Sequence, residues 1–147
     1  MATDSERDEK QADLVLEESV RTDIAQLLDA HQGERHIIVL QDFPDPDGIS
    51  SAFAHQIISA EFDIEVDIVY SGRISHLQNV TLVKLLGIEM TRFTPSLDLG
   101  QYDGAIFLDN QGTSAETITQ ALEEQQVPIL VVVDHHEPQE RLKPEFG

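Results

Sequence analysis

Four short runs of aliphatic and β-branched residues recur along this chain, each leading into a polar loop. They are His36–Leu40 (HIIVL), Ile64–Tyr70 (IEVDIVY), Ala105–Leu108 (AIFL) and Ile129–Val133 (ILVVV). Runs that are apolar on successive residues suit strands buried on both faces. A strand followed by a helix returns the chain to the same edge of its sheet, so consecutive strands run parallel. The pattern predicts an α/β fold, an open and mainly parallel sheet with helices on both faces.

The stretches between the runs carry helical spacing. Leu14, Val15, Val20, Ile24, Leu27 and Leu28 predict an amphipathic helix over Leu14–Ala30, ended by His31-Gln32-Gly33. Further helices are expected over Ile49–Glu61, Gln78–Leu86 (stopped by Gly87) and Ser114–Gln125. Ile88–Phe93 is a candidate short edge strand. Residues 1–12 read as a charged, disordered tail, leaving 13–147 as one domain.

Composition removes several function classes. There are 28 acidic residues against 9 basic ones, a formal net charge of −19. Such a surface repels a bare phosphate backbone, so long duplex nucleic acid is not an expected partner. An anionic substrate stays open, because bound cations invert the local potential. The acidic balance also has a bland reading, as an aid to solubility. No apolar run is long enough to span a bilayer, and the acidic N-terminus is unlike a secretory signal, so no membrane partner is expected. The absence of cysteine removes disulfides and thiolate ligands and favours a cytoplasmic setting.

Three strand ends concentrate acids and histidines. HIIVL leads into Gln41-Asp42-Phe43-Pro44-Asp45-Pro46-Asp47-Gly48, AIFL into Asp109-Asn110-Gln111, and ILVVV into Asp134-His135-His136. In an open parallel sheet, ligands bind outside the carboxyl ends of the strands. The nearest basic residues in sequence are Arg35, Arg73 and Arg141. Carboxylates gathered without basic partners repel one another unless cations stand between them, and divalent metal answers that need. Oxygen and imidazole donors without thiolate suit Mn²⁺, Mg²⁺ or Zn²⁺. Each piece alone has a structural reading as well. Pro-Asp-Pro-Asp-Gly makes a turn, Asp109 makes a helix N-cap, and His135-His136 make a hydrogen-bonded loop pair.

Together these residues resemble the DHH-family phosphoesterases (RecJ-like and oligoribonuclease-like). Asp134-His135-His136 resembles the DHH signature itself, and Pro44-Asp45-Pro46-Asp47-Gly48-Ile49-Ser50 the family's first motif. Leu108-Asp109 resembles its second. The segments Gly72–Asn79 and Leu82–Ile88 are similar to a stretch associated with one bacterial branch, so the likeness covers about residues 34–140. It implies a Rossmann-like DHH domain that hydrolyses phosphate esters of small nucleotides or short oligonucleotides with two divalent ions, Mn²⁺ before Mg²⁺. It also implies roles. Asp45 would hold the first ion, Asp47 and His135 the second, and Asp109 both; His136 would face the scissile phosphate. Asp134 would hold an imidazole in its ligating tautomer, and a water between the ions would be the nucleophile.

Two departures from the family pattern stand out. Gln41 occupies the position of a metal-ligating histidine, so Gln41 or Asp42 would serve the first ion instead. The family's fourth motif and its C-terminal substrate domain are not found before Gly147. The alternative function is therefore a catalytically weak metal- or nucleotide-binding regulatory domain, and a homodimer is open. A receiver-type phosphoacceptor domain expects a lysine after a late strand, and none stands between Lys84 and Lys143.

Overall fold

A computed structural model describes residues 3–72, 74, 77–108, 116–133 and 144, without the side chains of 12–22 and 77–79. Five strands form one sheet: β1 (Arg35–Val39), β2 (Glu65–Tyr70), β3 (Met90–Arg92), β4 (Gly104–Leu108) and β5 (Ile129–Val133). Their order is β3-β2-β1-β4-β5 and every pairing is parallel, so the expected α/β fold is present. The helices are α1 (Asp4–Ala30), α2 (Pro46–Ala60), α3 (Leu77–Leu86) and α4 (Glu116–Glu124). No helix among the described residues is long and apolar enough to cross a membrane.

The period of two along β1 divides the core. Ile38 and Leu40 face a cluster that takes in Leu28 of α1, Ile49 and Ala52 of α2, and Leu82 of α3. Ile37 and Val39 face the opposite cluster with Ile118 and Leu122 of α4, beside Leu99 and Tyr102. Helices thus cover both faces. Strands β1 and β4 lie centrally, and all five residues of β4 are buried.

Two boundaries differ from the sequence reading. Helix α1 begins at Asp4 rather than at Leu14, so residues expected as a tail form its first turns. Thr3 and Glu6 make a reciprocal capping box there, which satisfies two of the otherwise unpaired N–H groups. Helix α2 begins at Pro46, because proline at the first helical position already has the required φ. The β4–β5 register also shifts between Ala105 and Ile106, which puts both Leu130 and Val131 into one core cluster. A Cβ on Gly104 would stand 2.3 Å from Leu130 Cδ1, so the missing side chain makes room for Leu130.

At the amino end of the strands, Arg35 Nη2 donates to Asp67 Oδ2 at 2.8 Å, and the Tyr102 hydroxyl donates to the same oxygen at 2.6 Å. Burial, reinforced by the Asp67 hydrogen bond, raises the Tyr102 phenol above its ordinary range. On the other face, burial and the neighbouring His36 push the His55 imidazole down to about 4 from an ordinary 6.5. His55 therefore stays neutral in the fold at a pH where the unfolded chain binds a proton. Between those values acid favours the unfolded state. Lowering the pH from 7.5 to 5 is expected to remove roughly 2 kcal/mol of stability through this residue. Urea unfolding at both pH values should show a smaller difference for His55→Gln than for the parent chain.

Candidate functional site

In this strand order the chain reverses its direction of travel at β1: β2 and β3 lie on one side of it, β4 and β5 on the other. The crevice at such a reversal, outside the carboxyl ends, is where open α/β sheets bind ligands. Register places Val39 of β1 beside Phe107 of β4, and Leu108 of β4 beside Val133 of β5. The three strands that precede the acid- and histidine-bearing segments are therefore consecutive neighbours ending at one edge.

The loop after β1 is held closely. Phe43 and Asp45 each precede proline and are thereby biased to extended backbone. Asp45 takes φ −100°, ψ 172° and caps α2, its Oδ1 accepting from the Gly48 N–H at 2.8 Å. Its other oxygen accepts from Gln41 Nε2 at 3.3 Å. Asp47 lies exposed in the first turn of α2, where a negative charge interacts favourably with the helix dipole. Asp42 turns elsewhere, accepting a hydrogen bond from the Ser71 hydroxyl just after β2. Pro44 is buried beneath the loop.

The described portion of the predicted site is thus Gln41, Asp45 and Asp47 at the end of β1. Gln41 and Asp45 face each other, while Asp42 is engaged with the neighbouring strand. Asp109, Asp134, His135 and His136 lie outside the described residues, each directly following or close behind a described strand end. No lysine or arginine occurs from His36 to Gly72, and Arg73 is the next basic residue along the chain. The donors present are carboxylate and amide oxygens, a set that suits hard or borderline divalent ions.

One feature of this edge is invisible to sequence reasoning. Gly72 approaches the loop so closely that a Cβ would lie 1.8 Å from the Asp42 carbonyl oxygen. Ser71 and Gly72 together tie the end of β2 to the loop after β1. The only sequence signal was the Ser-Gly pair itself, which reads as an ordinary turn.

A second group of side chains with metal-ligating chemistry went unread in the sequence. His31, Glu34 and His36 bring three donor atoms within 4.8 Å of one another. They stand at the amino end of β1, on the opposite edge of the sheet from Gln41 and Asp45.

The family model described as "DHH family, N-terminal domain" matches residues 36–146. An uncharacterized protein of the archaeon Methanocaldococcus jannaschii is 30% identical over 94 residues, which is 63% of this chain and 18% of that protein. The chain therefore corresponds to a minor part of the length of that relative.

Two substitutions test the loop's construction by denaturant unfolding. Asp45→Ala should cost about 1 kcal/mol through the lost N-cap, whereas Asp45→Asn should cost only a few tenths. Gly72→Ala should cost roughly 3 kcal/mol or more, since backbone must move to admit the methyl group.

Proposed function

The chain belongs to the DHH family, whose N-terminal domain it carries, and we propose that it is the metal-binding module of a phosphoesterase acting on small nucleotides or short oligonucleotides. Membership implies hydrolysis of phosphate esters in general, with divalent metal as the cofactor. The observation that carries the finer reading is the adjacency of β1, β4 and β5, three parallel strands followed by Gln41–Asp47, Asp109 and Asp134–His136.

The residues present suit two divalent ions, Mn²⁺ before Mg²⁺. Gln41 and Asp45 would hold the first, Asp47 and His135 the second, and Asp109 both. The 3.3 Å between Gln41 Nε2 and the Asp45 carboxylate is close to the spacing of two ligands on one cation. Turning the amide over exchanges its nitrogen for its carbonyl oxygen at nearly the same place. Bound ions would neutralise charge on the phosphoryl oxygens and lower the pKa of water at the site. His136 would face the phosphate and move a proton, and Asp134 would orient an imidazole. The net charge of −19 favours a small ester over a long polyanion, which the surface would repel.

Release of product from a short oligonucleotide, or of phosphate from 3′-phosphoadenosine 5′-phosphate, is expected to require Mn²⁺. Asp109→Ala should abolish it, and full activity in that variant would overturn the assignment.

Gln41 supports a second reading, a regulatory domain that binds metal or nucleotide without turnover. An amide is a weaker ligand than the imidazole that the family pattern places there. Calorimetric Mn²⁺ binding without hydrolysis of either substrate would favour this reading. Under both readings Gln41→His should tighten Mn²⁺ binding by roughly tenfold, within the range that single changes around a metal produce.

A further inference from the structure

At the amino edge of the sheet, two imidazoles meet one carboxylate oxygen. His31 Nδ1 lies 2.8 Å from Glu34 Oε1, and His36 Nε2 lies 3.0 Å from the same atom. His36 is buried, while the side chains of His31 and Glu34 retain 19% and 29% of their exposure and give solvent a way in. We propose that His31, Glu34 and His36 form a binding site for one divalent cation of the Zn²⁺ type, separate from the phosphoesterase site.

The backbone that carries these ligands is pinned. His31 caps α1, its N–H donating to the Leu28 carbonyl at 3.1 Å. The Glu34 N–H donates to the His31 carbonyl at 3.2 Å, and the Gly33 N–H to the Asp63 carbonyl at 3.1 Å. The Glu34 carbonyl in turn accepts from Glu65 N–H at 3.1 Å, at the start of the β1–β2 pairing. A site on so constrained a turn loses little conformational entropy when it binds.

The chemistry of the donors is specific. Two imidazoles and a carboxylate are one of the zinc ligand sets that leave a fourth position to water. Tetrahedral zinc with bonds of about 2.0–2.1 Å spaces its ligands about 3.4 Å apart, so small side-chain rotations suffice from the present positions. The adjacent cation does not compete. Arg35 points to the other face, where its guanidinium is bound to Asp67.

Five residues of extended chain separate His36 from Gln41, about 16 Å, so one ion cannot serve both edges. An ion here would fasten the end of α1 to the first strand.

The decisive measurement uses the 147-residue chain carrying Asp47→Asn and Asp109→Asn, which weakens the other site. Calorimetry with Zn²⁺ should give about one equivalent, and Co²⁺ should give the visible absorption of a tetrahedral centre. Saturating Zn²⁺ should raise Tm by roughly 5 °C or more. Adding Glu34→Gln, or independently His31→Gln, should reduce Zn²⁺ affinity at least tenfold and remove the Co²⁺ bands, with circular dichroism unchanged. Both replacements are at partly exposed positions, so the fold should survive them. Absence of Zn²⁺ binding in the parent would overturn the proposal, as would equal binding in both variants. Either result would leave the cluster as a hydrogen-bonded turn.

Discussion

The parallel pairing of β1 with both β2 and β4 is the constraint on which the rest of this structure depends. His36–Val39 is registered against Val66–Val69 on one side and against Gly104–Phe107 on the other. Such a strand can expose neither face, so its residues must supply two cores at once, and they do so by alternation. The same pairing forces the chain to reverse direction across the sheet at β1. A crevice at its carboxyl end follows from topology before any side chain is considered.

Polar chemistry is consequently confined to the two ends of β1. Burial along the strand is complete from His36 to Leu40, and an unpaired charge there would be costly. At the amino end the acids are compensated: Asp67 by Arg35 and the Tyr102 hydroxyl, Glu34 by two imidazoles. Hydrogen bonding to Asp67, with its negative charge, raises the Arg35 guanidinium further above its ordinary value. At the carboxyl end Asp45 and Asp47 follow within a segment that contains no lysine or arginine. Carboxylates gathered in a segment without basic side chains are a physical ground for expecting cations at the carboxyl edge.

Much of this was legible because it depended on local rules. Apolar runs located the strands, Gly87 marked the end of α3, and the repeated strand–loop–helix order implied parallel pairing. Misses arose where tertiary contact or competing local signals decided. Thr3 and Glu6 form a capping box readable in the sequence, yet the charged residues after them argued for a tail. The closeness of Gly72 to the Asp42 carbonyl depends on how β2 meets β1, which no local pattern encodes. The shift at Leu130 likewise reflects space over Gly104 rather than any preference of Ile-Leu-Val-Val-Val. His31, Glu34 and His36 read as a helix stop and a strand start, and only the fold of the intervening turn joins them.

The Pro-Asp-Pro-Asp-Gly segment shows why a structural and a functional reading of the same residues need not compete. A carboxylate offers about four lone-pair directions. In Asp45, one oxygen accepts from Gly48 and the other faces Gln41, so capping occupies only part of that capacity. The cap moreover holds the side chain in one rotamer, against a helix whose first residue is a proline. A ligand already immobilised for structural reasons has little rotamer entropy left to lose when a cation arrives. Stability at the start of α2 and readiness for metal at the end of β1 can therefore come from the same hydrogen bond, and selection for either would preserve the other.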